Sequence, residues 1–177
     1  EALRAVSQSD EAQKRKTREV HLRMWADSER RLGNEKGYRS MLVRILRDYP
    51  STEVWADLLA RTRSTLPQSL PLELDLYRLM RAAGVPLDAE DVLDYANTAL
   101  RAGQPAEAQQ VLEAGFAAGQ LGSGPKVEAQ RNLLASAKRA AGEDRRELTT
   151  ASAVGNPVAL LSAGRALVSM GQADQGL

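Results

Sequence analysis

Apolar and small residues in this chain recur every three or four positions and nowhere alternate. Leu42, Ile45, Leu46 and Tyr49 stand at i, i+3, i+4, i+7. The spacing repeats at Leu76, Leu79, Met80, Ala83, at Val92, Tyr95, Ala96, Ala99, and at Leu112, Gly115, Phe116, Gly119. That is the period of a helix with one buried face. No stretch of four or more residues alternates apolar and polar with β-branched enrichment. Ala and Leu dominate while Val, Ile and Thr are scarce, so helix is the low-cost conformation throughout and the fold class is all-α.

The punctuation agrees. Asp88 is placed to cap a helix, with an acidic first turn after it that suits the helix dipole. Gly103 closes that helix and Pro105 opens the next, where its missing N–H costs least. Gly33, Gly84, Gly142 and Gly171 also follow helical runs, and Pro50 and Pro157 lie near helix boundaries. These signals predict helices at 9–32, 35–49, 52–64, 70–83, 88–102, 105–118, 125–141, 143–153 and 156–170. Residues 1–7 are expected to be the stub of a preceding helix. The links are only a few residues long, which lays consecutive helices antiparallel. Gly33, Gly103 and Gly171 each end a helix; their separations, 70 and 68, halve to 35 and 34. A two-helix unit repeating about every 34 residues is implied.

Over most of its length the chain resembles the tetratricopeptide-repeat family. Leu22, Trp25-Ala26, Gly33, Tyr38, Leu42, Ile45 and Pro50 follow the family spacing, with Tyr38 and Ile45 larger than the pattern asks. Val92, Tyr95-Ala96, Gly103, Ala108, Leu112 and Gly115 fit best, and Gln120 stands where the closing Pro would be. Leu160, Ala163-Gly164, Leu167 and Gly171 begin a third match. The resemblance implies one domain over 1–177, a right-handed α-solenoid of about four antiparallel helix pairs. Its better-matched repeats are 19–50, 89–120 and 157–177, and its degenerate ones 52–84 and 125–153. In such a pattern Ala96 and Ala108 face each other, and Tyr95, Leu112 and Leu167 fill the seams.

A closer likeness runs from Tyr38 to Leu177. Tyr49-Pro50, Glu53 to Arg61, Leu74 to Gly84, Asp94 to Gly119 and Leu121 to Gly124 are similar to the middle of a bacterial family of exported tetratricopeptide proteins with no assigned activity. It implies a periplasmic location, with the cytoplasm as the alternative, further repeats on both sides, and no catalytic residue. The chain starts at Glu1 without Met and ends in a barely begun helix, as a piece of a longer protein would. Leu148 to Gly164, the longest uncharged stretch, is too polar to span a membrane.

Several chemistries are excluded or weakened. There is no Cys, and the single His rules out a multi-histidine metal site within the chain. Lys plus Arg number 24 against 23 Asp plus Glu, a net charge of +1, which argues against nucleic acid as the main partner. The segment around Lys14 to Arg31 is basic, but Glu11, Glu19, Asp27 and Glu29 are interleaved at ion-pair spacing, the pattern of a solvated helix face. Leu121 to Lys126 superficially suggests a phosphate loop; Pro125 separates its Gly from Lys126 and a helix precedes it, so a link between helices is expected. Glu90, Asp91 and Asp94 read as helix-dipole complements rather than an acid–base pair. No cofactor and no enzymatic activity are expected.

What remains is a surface. The first helix of each pair should line a polar groove, presenting Glu90, Leu93, Asn97, Leu100 and Arg101 in the best unit, Asp27, Arg30 and Arg31 in the first and Arg165 in the last. Asn97 and Arg101 resemble half of the clamp that some tetratricopeptide repeats place around a peptide carboxylate. The expected role is a non-catalytic scaffold binding a protein or extended peptide along the concave face. The alternatives are a structural spacer in a larger cell-envelope protein, of polysaccharide-export or outer-membrane type, and a non-catalytic part of an enzyme whose active site lies elsewhere.

Overall fold

The computed structural model describes residues 2–13, 16–67, 69–151, 164 and 167. Among them are eight helices and no strand: α1 (Ala2–Ala12), α2 (Glu19–Arg31), α3 (Glu35–Asp48), α4 (Thr52–Arg63), α5 (Leu70–Ala82), α6 (Ala89–Arg101), α7 (Pro105–Ala117) and α8 (Val127–Ala151). The all-α expectation holds for these residues. Two compact units divide the chain, one of Glu1–Pro67 with Arg78–Pro86, the other of Gln68–Tyr77 with the chain from Leu87 onward.

In the first unit α1 packs on α2, α2 on α3 and α3 on α4. Leu22 and Ala26 of α2, Tyr38, Leu42, Ile45 and Leu46 of α3, and Val54 and Leu58 of α4 form one buried cluster, with Met41, Tyr49 and Trp55 against it. Each is an apolar position at helical spacing, and burying such side chains is the main term holding short helices together. Asn34 caps α3 by accepting from the Gly37 N–H, and Ser51 caps α4 by accepting from that of Val54. A polar network ties α3 to α4. The Tyr38 hydroxyl donates to Asp57 at 2.6 Å, Arg61 bonds Asp57 at 2.7 Å and also Glu35, and its guanidinium lies 4.5 Å from the Tyr38 ring centroid.

In the second unit α6 packs on α7 and α7 on α8. Val92, Tyr95, Ala96 and Ala99 of α6 are buried, as are Ala106, Ala108, Val111 and Leu112 of α7. Ala96 and Ala108 have no exposed surface, as close approach at both positions requires. The Tyr77 ring stacks on that of Tyr95 with centroids 5.2 Å apart. Asp88 caps α6 by accepting from the Glu90 and Asp91 N–H groups, and Pro105 opens α7.

The glycine stops expected at Gly33, Gly84 and Gly103 form, and Gly119 adds a fourth. Gly33, Gly84, Gly103 and Gly119 all have φ near +70°, where a side chain would be strained. After each, an N–H reaches back five residues: Asn34 to Glu29, Val85 to Met80, Gln104 to Ala99 and Gln120 to Gly115.

Two expectations fail. The helix predicted over 9–32 is two helices. Between them Thr17 is buried, its hydroxyl 3.4 Å from that of Ser7, and its carbonyl accepts from the Tyr49 hydroxyl rather than from a helical N–H. The turn predicted at Gly142 does not form either, and α8 runs unbroken through it. The segment 125–153, expected to be a degenerate helix pair, therefore contains one long helix. Gly142 is flanked by Ala140, Ala141 and Glu143, strong helix formers that carry it through. A Cβ there would meet nothing within 4 Å. Gly142→Ala should consequently stabilise the chain by about 0.5–1 kcal/mol, read as a rise in the midpoint of thermal or urea unfolding. A fall would restore the turn. The predicted helix at 156–170 and the stop at Gly171 lie outside the described residues, apart from helical Gly164 and Leu167.

Candidate functional site

Helix α2 offers Asp27, Arg30 and Arg31. The structure brings all three together: Arg30 reaches the Asp27 carboxylate at 2.6 Å and Arg31 at 2.7 Å, the i+3 and i+4 geometry of a helix surface. The hydrogen bond from Arg30 holds the Asp27 carboxyl below its ordinary range, against the opposing effect of desolvation and with further help from Arg31. Two cations thus converge on one anion and leave a net positive charge. Arg23 is matched one to one with Glu19 at 2.7 Å. Within the basic segment, Arg23, Arg30 and Arg31 of α2 are ion-paired as expected, Lys16 donates instead to the Asp48 carbonyl, and Lys14 and Arg15 lie outside the described residues.

The outward strip of α2 holds more than these charges. Counting along the helix, Val20, Met24, Asp27 and Arg31 share one face. Val20 is 49% exposed and Met24 55%. Sequence reasoning missed them as surface groups, because Val and Met four apart on a helix ordinarily mark the buried side.

In the second unit, Glu90, Asn97 and Arg101 share one strip of α6 and all three are exposed. Neither Asn97 nor Arg101 takes part in a described hydrogen bond or ion pair, so both heads are presented to solvent. Leu93 and Leu100 are half-buried beside them. Arg165 lies outside the described residues. Leu167, expected in a seam, is half-buried.

The other candidates resolve as structure. His21 is half-buried, with a buried Nδ1 that has no hydrogen-bond partner. The Gly122 N–H, which a phosphate loop would offer to an anion, donates to the Gln130 side chain at 2.9 Å. Asp88 is used as a cap for the start of α6. No group of three or more His, Asp or Glu among the described residues is arranged to hold a metal ion. No helix among them is long and apolar enough to cross a membrane.

A buried carboxylate is the polar feature the sequence did not announce. Glu107, in the first turn of α7, is buried and accepts from the Tyr95 hydroxyl at 2.7 Å. An acidic residue there reads as a dipole complement on the surface. Its burial follows from Tyr95, whose hydroxyl needs an acceptor once the ring is inside.

Each unit pairs an aromatic donor with a carboxylate. Trp25 and Tyr95 stand 70 residues apart, as do Gly37 and Glu107, and Glu29 and Ala99. In the first unit the Trp25 Nε1–H donates to Glu29 at 2.9 Å, and the same carboxylate accepts from Asn34 at 2.7 Å. That carboxylate lies over Gly37, 2.6 Å from where a Cβ would sit. In the second unit position 99 is Ala, and the carboxylate comes from Glu107 instead. Glu29 thus accepts from Trp25 within α2, and Glu107 of α7 accepts from Tyr95 of α6.

Compared with protein families, with curated proteins and with solved structures, the chain matches none of them.

Proposed function

We propose that the chain is a right-handed solenoid of tetratricopeptide-like helix pairs that acts as a non-catalytic scaffold, binding a protein or an extended peptide. The observation that carries this reading is a set of buried and turn positions offset by 70 residues. Each of α2–α3 and α6–α7 also pairs an aromatic donor with a carboxylate, although Trp25 and Glu29 are half-buried where Tyr95 and Glu107 are buried. The same offset relates the buried pairs Leu22 and Val92, Ala26 and Ala96, and Leu42 and Leu112. It also relates the glycine turns at 33 and 103. Helices α3, α5 and α7 begin at Glu35, Leu70 and Pro105, 35 residues apart each time. Helix pairs of this kind bury their apolar faces by stacking, and leave the first helix of each pair to present side chains.

On this reading Glu90, Asn97 and Arg101 contact the partner from α6, Asp27, Arg30 and Arg31 from α2, and Arg165 from a later unit. Asn97 and Arg101, one turn apart with free heads, suit a carboxylate or a peptide backbone. The resemblance to exported bacterial proteins puts that partner in the cell envelope. Capture from envelope extract on the immobilised chain, compared with a variant carrying Asn97→Ala and Arg101→Ala, tests the surface. The expected result is a protein retained by the native chain and lost at least fivefold from the variant. A partner retained equally by both would remove α6 as the contact.

A further inference from the structure

We propose that the outward strip of α2 takes an acidic amphipathic segment of a partner, with apolar side chains on Val20 and Met24 and a carboxylate on Arg30 and Arg31. This rests on the scaffold reading and supplies the chemistry of what is bound at one part of it.

The argument begins with the strip's two halves. At the N-terminal end Val20 and Met24 are one turn apart and half-exposed or more, while their neighbours Leu22 and Ala26 are buried in the cluster beneath. At the C-terminal end the arginine side chains are 57% and 79% exposed while both hold Asp27. One carboxylate cannot neutralise two guanidiniums, so an incoming carboxylate meets net positive charge without first displacing Asp27. The surroundings favour the same sign. The first unit carries 16 Lys and Arg against 10 Asp and Glu, a net of +6. A basic partner would have to approach against that field, whereas an acidic one is drawn in.

Geometry sets the spacing of the ligand. Met24 and Arg31 are seven residues apart, about 10 Å along the helix. An apolar side chain and a carboxylate two turns apart on a helix, or three residues apart on an extended strand, span that distance. Methionine suits the apolar contact, being unbranched and able to adapt to different side chains.

The chain has four methionines, Met24, Met41, Met80 and Met170, so ¹³C-methyl-methionine labelling gives a nearly empty spectrum. The probes are two blocked 12-residue peptides of equal length, one of Leu and Glu, the other of Leu and Lys. On titration the Leu–Glu peptide should shift the Met24 methyl signal and leave Met41, which lies against the core cluster, unmoved. Arg30→Glu with Arg31→Glu should weaken that binding at least tenfold, and raising the salt should weaken it in the native chain. The Leu–Lys peptide should bind at least tenfold less tightly. Equal binding of both peptides, or an unmoved Met24 signal at saturation, overturns the proposal. Leu–Glu binding that ignores the arginine changes but disappears with Asn97→Ala and Arg101→Ala would overturn it alone and leave the scaffold reading standing.

Discussion

Gly115→Val should destabilise the chain by about 1–3 kcal/mol, and Leu121→Ala by about 2–5 kcal/mol. Both effects come from one contact. A Cβ at 115 would sit 2.9 Å from the Val92 Cγ1, closer than side chains tolerate, and 3.1 Å from the Leu121 Cδ1, a contact that needs a shift of a few tenths of an ångström. Neither neighbour yields easily. Val92 is a buried β-branched residue on α6, and Leu121 is buried where the chain folds back after Gly119. Leu121 also hangs from the same residue, its N–H bonded to the Gly115 carbonyl. Seventy residues earlier in the sequence stands Ile45, almost wholly buried in its own cluster. Because side chains at 115 and 121 compete for the same space, Gly115→Ala and Leu121→Ala should not be additive. The double variant should be more stable than the sum of the single losses by at least about 0.5 kcal/mol. Urea unfolding of the four proteins measures this, and strict additivity would mean the two side-chain positions do not share space.

Tyr95→Phe carries the second large effect, about 1.5–3 kcal/mol, the range for a hydrogen bond to a charged group. Glu107 then stays in its buried place with one charge-assisted bond fewer. Trp25→Phe in the first unit should cost less through its polar group. Glu29 is only half-buried and keeps the bond from Asn34, so water can replace the indole N–H. The comparison is best made with Glu107→Gln added. If the Tyr95 hydroxyl matters because of the carboxylate, Tyr95→Phe should cost clearly less in the Glu107→Gln background. An unchanged cost would place the effect in the ring stacking with Tyr77 instead.

Much of this was readable beforehand, and the misses have physical causes. Helices α3 to α7 follow from apolar spacing with Asp88, Pro105 and the glycines at 33, 84 and 103 as boundaries, whereas the caps at Asn34 and Ser51 and the left-handed Gly119 emerge only from the structure. The break between α1 and α2 was hidden because the charged run from Glu11 to Arg18 is as compatible with helix as with a link. In the link itself the Thr17 carbonyl accepts from the Tyr49 hydroxyl, a tertiary contact that sequence spacing does not show. Gly142 misled in the opposite way. A glycine after an apolar run looks like a stop, but no strong breaker follows it and α8 continues. At the candidate surface, Asp27 with Arg30 and Arg31 was legible from i+3 and i+4 spacing. Glu107 was not, since only the partner helix shows that its carboxylate turns inward. Val20 and Met24 were not either, since their pattern is that of a buried face.

The proposed solenoid is tested most directly by small-angle X-ray scattering of the whole chain. A compact chain of 177 residues has a radius of gyration of about 16 Å. Stacked helix pairs should give a larger value, a distance distribution with a long tail, and a Kratky curve that returns to baseline as a folded particle's does. A radius near 16 Å with a symmetric distribution would mean the pairs close into a globule, and the array with its presented helix strips would have to be abandoned.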